Sequence, residues 1–177
     1  MKKSTTFAVT PEEQSLIESM LDFANMESIN STSEVEDLFR RNVSLVGDVF
    51  QVIPPTETGA FVRDQLELRR WLELITKSRA GRKTVGAEVA ALLGTVATRA
   101  TFQEDELRVA FGLRGVQACY AYAVAVILDR RRKLANKLGR CGWSKCGKFQ
   151  LNFSAIGRPR KHCNAQHKWR AEAERRT

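Results

Sequence analysis

Cys141, Cys146, Cys163 and His167 form a C-x4-C-x16-C-x3-H pattern near the C-terminal end of the chain. Two short-tethered ligand pairs, separated by an arginine- and lysine-rich stretch, are the layout of a structural zinc site. No other feature constrains the fold as much. A region of about 40 residues has too little core to close on burial alone, and metal binding worth on the order of 10–16 kcal/mol supplies what burial lacks. The expected cofactor is one structural Zn2+, held by all four side chains. Filled coordination leaves no position for water, and no Glu stands between the ligands to act as a base, so a catalytic zinc is not expected.

The spacing also assigns local structure. Cys141-Gly142-Trp143-Ser144-Lys145-Cys146 is a loop of suitable length, and Gly147 permits a tight turn after it. Cys163 and His167 are four apart, which places them on one face at the start of a helix. A cysteine at a helix N-terminus is expected to have its thiolate stabilised by the dipole. His162 competes as fourth ligand, but its adjacency to Cys163 makes joint coordination awkward, so His167 is preferred.

Charge is distributed unevenly. Residues 1–129 carry 14 Lys+Arg against 18 Asp+Glu, whereas residues 130–177 carry 15 against 2. A near-neutral body thus precedes a basic region suited to a polyanion. Met1-Lys2-Lys3 is followed by no apolar segment of signal-peptide type. The longest uncharged run, Gly115 to Leu128, is 14 residues, short of the ~18–20 that cross a bilayer. These features predict a cytoplasmic protein with reduced thiols and no membrane partner.

The fold class expected is mainly α: a helical domain over residues 1–138, then a zinc-stapled module over 139–177 made of a knuckle, a short β-hairpin and a helix. Three capping boxes, at Thr10–Glu13, Ser33–Glu36 and Thr101–Glu104, predict helices near 11–29, 34–50 and 102–113. The first would bury Leu16, Ile17, Met20, Leu21 and Ala24. Pro54 and Pro55 break the pattern. A helix over 60–79 would bury Val62, Leu66, Leu68, Trp71, Leu72 and Ile75, ending at Ala80-Gly81-Arg82-Lys83. Residues 85–99 would turn Val89, Leu92, Leu93 and Val96 inward. The last helix of the body would run from Gly115 to about Leu138, apolar in its first half, with Arg130-Arg131-Arg132-Lys133 emerging from the body and Gly139 terminating it. In the module, residues 148–153 alternate as a strand, Arg160-Lys161-His162 would return as its partner, and Asn164–Arg176 would form a helix.

Several of these residues resemble the bacterial CGNR zinc-finger proteins, which pair an N-terminal helical (ABATE) domain with a C-terminal finger. The similar parts are Cys141 and Cys146, the aromatic strand with Phe149 and Phe153, the run Arg158-Pro159-Arg160-Lys161, and the second ligand pair followed by a basic helix. Leu21-Asp22-Phe23-Ala24-Asn25 is similar to an Asp-Phe-x-Asn signature near that family's N-terminus. In place of the family's Cys-Gly-Asn-Arg run stands Ala165-Gln166-His167-Lys168-Trp169-Arg170, with His as the last ligand. The resemblance implies a stress-responsive transcriptional regulator.

Candidate nucleic-acid contacts are Arg130, Arg131, Arg132, Lys133, Lys148, Arg158, Arg160, Lys161, Lys168, Arg170, Arg175 and Arg176. Such a cluster neutralises phosphates and binds in a salt-dependent way, and guanidinium groups suit bidentate contact with phosphate or guanine. Double-stranded DNA is favoured over RNA only through the resemblance. Lys168 and Arg170 would approach base edges or phosphates. Trp169 would stack on a base or pack the finger's small core. Cys119 reads as an inert core residue, with a redox sensor as the alternative. The body could hold a ligand cavity or a homodimer surface. No nucleophile–base grouping, phosphate loop or paired carboxylate points to an enzyme. The expectation is a zinc-dependent DNA-binding regulator, the alternative being a protein-interaction adaptor or an RNA-binding protein.

Overall fold

The computed structural model describes residues 9–29, 33–35, 58–94, 97–103, 106–112, 116–153 and 161–175. The architecture is mainly α. In chain order it contains α1 (Pro11–Asn25), α2 (Thr58–Lys77), α3 (Arg79–Gly94), β1 (Ala97–Gln103), β2 (Glu106–Gly112), α4 (Val116–Leu128), a 3-10 turn (Leu134–Asn136), β3 (Leu138–Arg140), β4 (Phe149–Leu151) and α5 (Ala165–Glu174). Of the segment expected as a helix over 34–50, the described residues reach only position 35; residues 33–35 are helical, and Glu36, the last member of the capping box, lies outside the described residues. Val35, at the edge of that gap, is fully buried.

Helix α1 starts as its sequence dictates. Thr10 accepts from the Glu13 backbone N–H while the Glu13 carboxylate accepts from the Thr10 N–H, with Pro11 at the first helical position. Its five expected apolar residues are buried, together with Phe23. The helix stops at Asn25 rather than 29 because α2 caps it from outside. Gln65 donates to the carbonyls of Phe23 and Met26, and Arg69 donates to those of Ala24 and Met26. Terminal carbonyls that would otherwise be orphaned are thereby satisfied.

Those bonds also set the rotation of α2. Its buried stripe is Phe61, Gln65, Leu68, Leu72 and Ile75, with Trp71 beside it. Val62 and Leu66, expected inside, are 40% and 58% exposed. A polar residue at 65 belongs to the core face because its amide has carbonyl partners there, which apolar periodicity alone does not register.

Ala80-Gly81-Arg82-Lys83 does not end a helix. It lies in the first turn of α3, where Ser78 accepts from the Gly81 N–H as an N-cap. A Cβ at Gly81 would overlap the Leu74 carbonyl, so glycine lets α3 fold back directly against α2. The two helices are further joined at Glu88, which accepts from the Trp71 indole N–H at 2.7 Å and pairs with Arg70. Val85 and Val89 are buried, Leu92 and Leu93 pack partly against the core, and Val96 lies outside the described residues.

Of residues 102–113, expected as a helix, the described ones (102–103 and 106–112) instead belong to the paired antiparallel strands β1 and β2. Thr98 pairs with Phe111, Ala100 with Val109 and Phe102 with Leu107. Glu106-Leu107-Arg108-Val109-Ala110-Phe111 alternates polar or small with large apolar residues, a period of two. The Thr101–Glu104 cap signal loses to that alternation and to the β-branched and aromatic content of both strands.

Helix α4 is buried on nearly every side, through Val116, Cys119, Tyr120, Ala121, Ala123, Val124, Val126 and Ile127. Tyr120 stacks on Phe23 at 5.1 Å between ring centroids. The helix ends at Leu128, ten residues before the expected stop. Arg130-Arg131-Arg132-Lys133 forms a turn rather than an emerging helix, with Lys133 in the left-handed region at φ 56°. The polar Asp129 side chain nucleates that turn by accepting from the Arg131 backbone N–H. Gly139 is not a terminator; it lies in β3.

The partner of β4 is β3, with Leu138 opposite Leu151 and Arg140 opposite Phe149. The expected partner run does not form a strand: Lys161 and His162 are in bends, and Arg160 lies outside the described residues. Pairing upstream places Cys141 and Cys146 on the loop that joins two bonded strands. Leu138 and Phe149 belong to the same core as the helices, and β3 straddles residues 138 and 139, where the two domains were expected to meet.

Candidate metal centre

The loop between β3 and β4 closes when the Cys141 N–H donates to the Lys148 carbonyl, and tightens when the Cys146 N–H donates to the Trp143 carbonyl. Gly147 takes φ +63°, a conformation that costs glycine little, and its carbonyl accepts from Arg140 at 2.9 Å. The Gly142 N–H donates to the Lys161 carbonyl at 2.7 Å, which joins this loop to the second half of the module. There Asn164 caps α5 by accepting from the His167 N–H. The cap leaves Cys163 just ahead of the helix and His167 one turn into it.

These two arrangements bring Cys141, Cys146, Cys163 and His167 together, with their ligand atoms all within 4.8 Å of one another, and the group could hold a metal ion. The Cys146 and Cys163 sulfurs are 3.7 Å apart, and the Cys141 sulfur is 3.7 Å from His167 Nδ1. A tetrahedral ion with metal–sulfur and metal–nitrogen bonds near 2.3 and 2.0–2.1 Å would have edges of about 3.8 and 3.6 Å. The Cys163 sulfur and His167 Nδ1 stand closer, at 2.8 Å. His167 is the histidine of this group. His162 packs beside Gly142, and its buried Nδ1 has no hydrogen-bond partner among the described residues.

The thiols are electrostatically unequal. Burial pushes Cys141 up, but backbone N–H groups of Trp143 and Cys163, with His167 and Cys146, outweigh it and bring the thiol down to about 6. Cys163 goes the other way, to about 12, through burial and the crowding of the Cys146 and Cys141 sulfurs. The dipole expected to favour its thiolate is overcome by those neighbours. Once one sulfur is ionised, a second and third resist, and a bound cation reverses that resistance.

Aromatic and acidic residues brace the centre. Trp143 packs on the His167 ring at 4.5 Å, and its indole N–H donates to Glu174, which also accepts from the Ser144 hydroxyl. Arg170 lies over Trp143 at 4.8 Å. Trp169, expected to stack on a base or pack the module's core, is 68% exposed; Ala171 and the knuckle's Trp143 do the packing. Trp143 was legible only as a spacer residue, since its role depends on α5 folding back over the loop.

The basic residues separate into groups. Lys161, Lys168 and Arg175 line one shallow cleft beside the ligands, with Glu172 among them. Lys148 is exposed on the adjoining loop. Arg132 is largely withdrawn from solvent, paired with Glu13 and Asp129, and Arg131 pairs with Asp129. Arg130 and Lys133 line a different cleft, with α3. Arg158, Arg160 and Arg176 lie outside the described residues. Cys119 is buried, and its thiol is pushed up to about 12 by desolvation, which suits an inert core residue better than a sensor.

Asn25 joins the helical body to the strand behind the metal loop. Its side chain donates to the Phe149 carbonyl at 2.8 Å and accepts from the Phe149 N–H at 2.7 Å, acting as a one-residue strand partner for β4. Arg140 reinforces the same joint, lying over the Phe149 ring at 5.5 Å and pairing with Glu73 of α2. Among the described residues, no helix is long and apolar enough to cross a membrane. Comparison with known protein families finds no family model that matches the chain, and no curated protein matches it.

Proposed function

We propose that the protein is a zinc-dependent, DNA-binding transcriptional regulator in which a structural Cys3His zinc presents a basic surface and the helical body serves as a sensing or dimerising domain. The carrying observation is the convergence of four ligand atoms within 4.8 Å beside a cleft lined by Lys161, Lys168 and Arg175. Three thiolates and an imidazole, two from the β3–β4 loop and two from the start of α5, suit zinc, and four protein ligands favour a structural over a catalytic role. The resemblance to CGNR zinc-finger proteins is part of this proposal, and it alone favours double-stranded DNA and transcriptional control.

The test is duplex binding by fluorescence anisotropy across a salt series, on zinc-loaded protein. Affinity should fall steeply with salt, and replacing Lys161, Lys168 and Arg175 by Gln should reduce the log–log slope by roughly 2.7 if each meets a phosphate. Chelation or Cys146→Ser should abolish binding. Salt-insensitive binding, or none to any duplex, defeats the proposal. One observation favours a second reading: Trp169 is exposed beside Lys168 and Arg170. Such a surface also suits an unpaired base of RNA or an acidic protein partner. A complex that survives nuclease and is lost on Trp169→Ala would favour the adaptor.

A further inference from the structure

A second cationic site lies on the helical body, away from the metal ligands. Between the first turns of α3 and the turn after α4 is a cleft of about 1030 Å³. Arg79 and Lys83 line it from α3, and Arg130 and Lys133 line it from the turn. All four are exposed, and among the described residues none of their side chains has a hydrogen bond or ion pair; the Lys133 backbone carbonyl accepts from the Asn136 N–H. The carboxylate in the lining, Asp129, is already engaged by the Arg131 backbone and by the Arg131 and Arg132 side chains. Four cations therefore face one concavity whose one carboxylate among the described lining residues is already paired.

The walls are held in place. Arg82 donates to the Ile75 carbonyl at the end of α2 and to Asn136 and the Ala135 carbonyl of the 3-10 turn, which fixes α3 against the turn. Lys133 adopts a left-handed backbone that glycine or asparagine would occupy more readily, yet the position carries a cation.

We propose that this cleft binds a small ligand carrying two or more phosphate groups. Arginines supply planar, bidentate donors and lysines supply mobile charges, the pairing that polyphosphate groups need. Leu128 in the lining offers an apolar surface for a base or other ring attached to the phosphates. A concave site of this size suits a compact ligand. The inference is independent of the metal reading and stands if that one fails.

The experiment is calorimetric titration of the full, metal-loaded chain with sodium tripolyphosphate and, separately, with adenosine triphosphate, while released metal is monitored so that chelation is not read as binding. Saturable binding of one ligand per chain is expected, weakening with salt. Lys83→Gln combined with Arg130→Gln should weaken it roughly tenfold or more, from two lost charge-assisted contacts. Lys168→Gln with Arg170→Gln should leave it within a factor of about two, since those residues line no part of the cleft. Tighter binding of the nucleotide would identify a nucleoside source, and equal binding an inorganic one; both support the site. Absence of binding at low salt overturns the proposal, as does equal loss in the two double variants. If the Lys83/Arg130 variant instead weakens duplex affinity as much as tripolyphosphate affinity, the cleft is a nucleic-acid surface and the proposal is wrong.

Discussion

Replacing Asn25 by Ala should loosen the module from the helical body without touching a metal ligand. The Asn25 side chain makes two short bonds to one residue of β4, at 2.7 and 2.8 Å, both partly sheltered from water. Each is worth about 0.5–1.5 kcal/mol net, so the pair contributes on the order of 1–3 kcal/mol, the upper part of that range applying if the Phe149 N–H is left without a partner. With a urea m-value of about 2 kcal/mol/M, the unfolding midpoint should fall by roughly 0.5–1.5 M. Urea titration of zinc-loaded wild type and Asn25→Ala, followed by far-UV circular dichroism, measures the shift. Hydrogen exchange at the Phe149 amide should rise in the variant before that of α4, because the lost bonds hold β4 and not the central helix. Asn25→Asp keeps an acceptor for the Phe149 N–H but sets a carboxylate against the Phe149 carbonyl, so it should be no better than Ala. A midpoint shift under about 0.2 M, with unchanged exchange at Phe149, would show that the hairpin is held by its apolar contacts alone.

Three further outcomes follow from the geometry. Gly81→Ala should destabilise the protein by about 1–3 kcal/mol, seen in the same urea assay, because its Cβ meets backbone that cannot swing aside; an unchanged midpoint would contradict the close approach of α3 and α2. Chelation should change the emission of Trp143, which rests on His167 and bonds to Glu174, while leaving the helical dichroism of the body largely intact; a Trp143→Phe control identifies the source, and emission blind to metal would argue against the centre. Burial raises the Glu13 carboxyl, but bonds from Arg132 and Thr10 outweigh it and hold it below its ordinary 4.5. A depressed carboxylate stabilises above that ordinary value and loses its contribution as pH falls through the folded-state value. The stability difference between wild type and Arg132→Met should therefore be full above the ordinary 4.5 and shrink as pH falls below it; a pH-independent difference refutes the pairing.

Local chemistry was legible without coordinates. Thr10, Pro11 and Glu13 specify the start of α1, because a cap needs only three neighbouring residues, and Asn164 begins α5 for the same reason. The C-x4-C and C-x3-H spacings bring each ligand pair together within one loop and one turn. What misled was local signal in competition with longer-range contacts. The Thr101–Glu104 capping signal lies within a segment whose alternation pairs it with another strand. Arg132 reads as a free cation in the chain, but it is the counter-ion of a carboxylate 119 residues away.

The amino-acid order alone determined that four soft and borderline ligands occur in two tethered pairs, that the body is helical, and that the positive charge gathers after residue 129. Tertiary structure decided which of those charges remain available. It also turned Gln65 inward by giving its amide the carbonyls of α1, and it made Asn25 a partner for β4. Such choices depend on hydrogen-bond partners and counter-ions supplied by distant segments, and those are distances that no local period or spacing encodes.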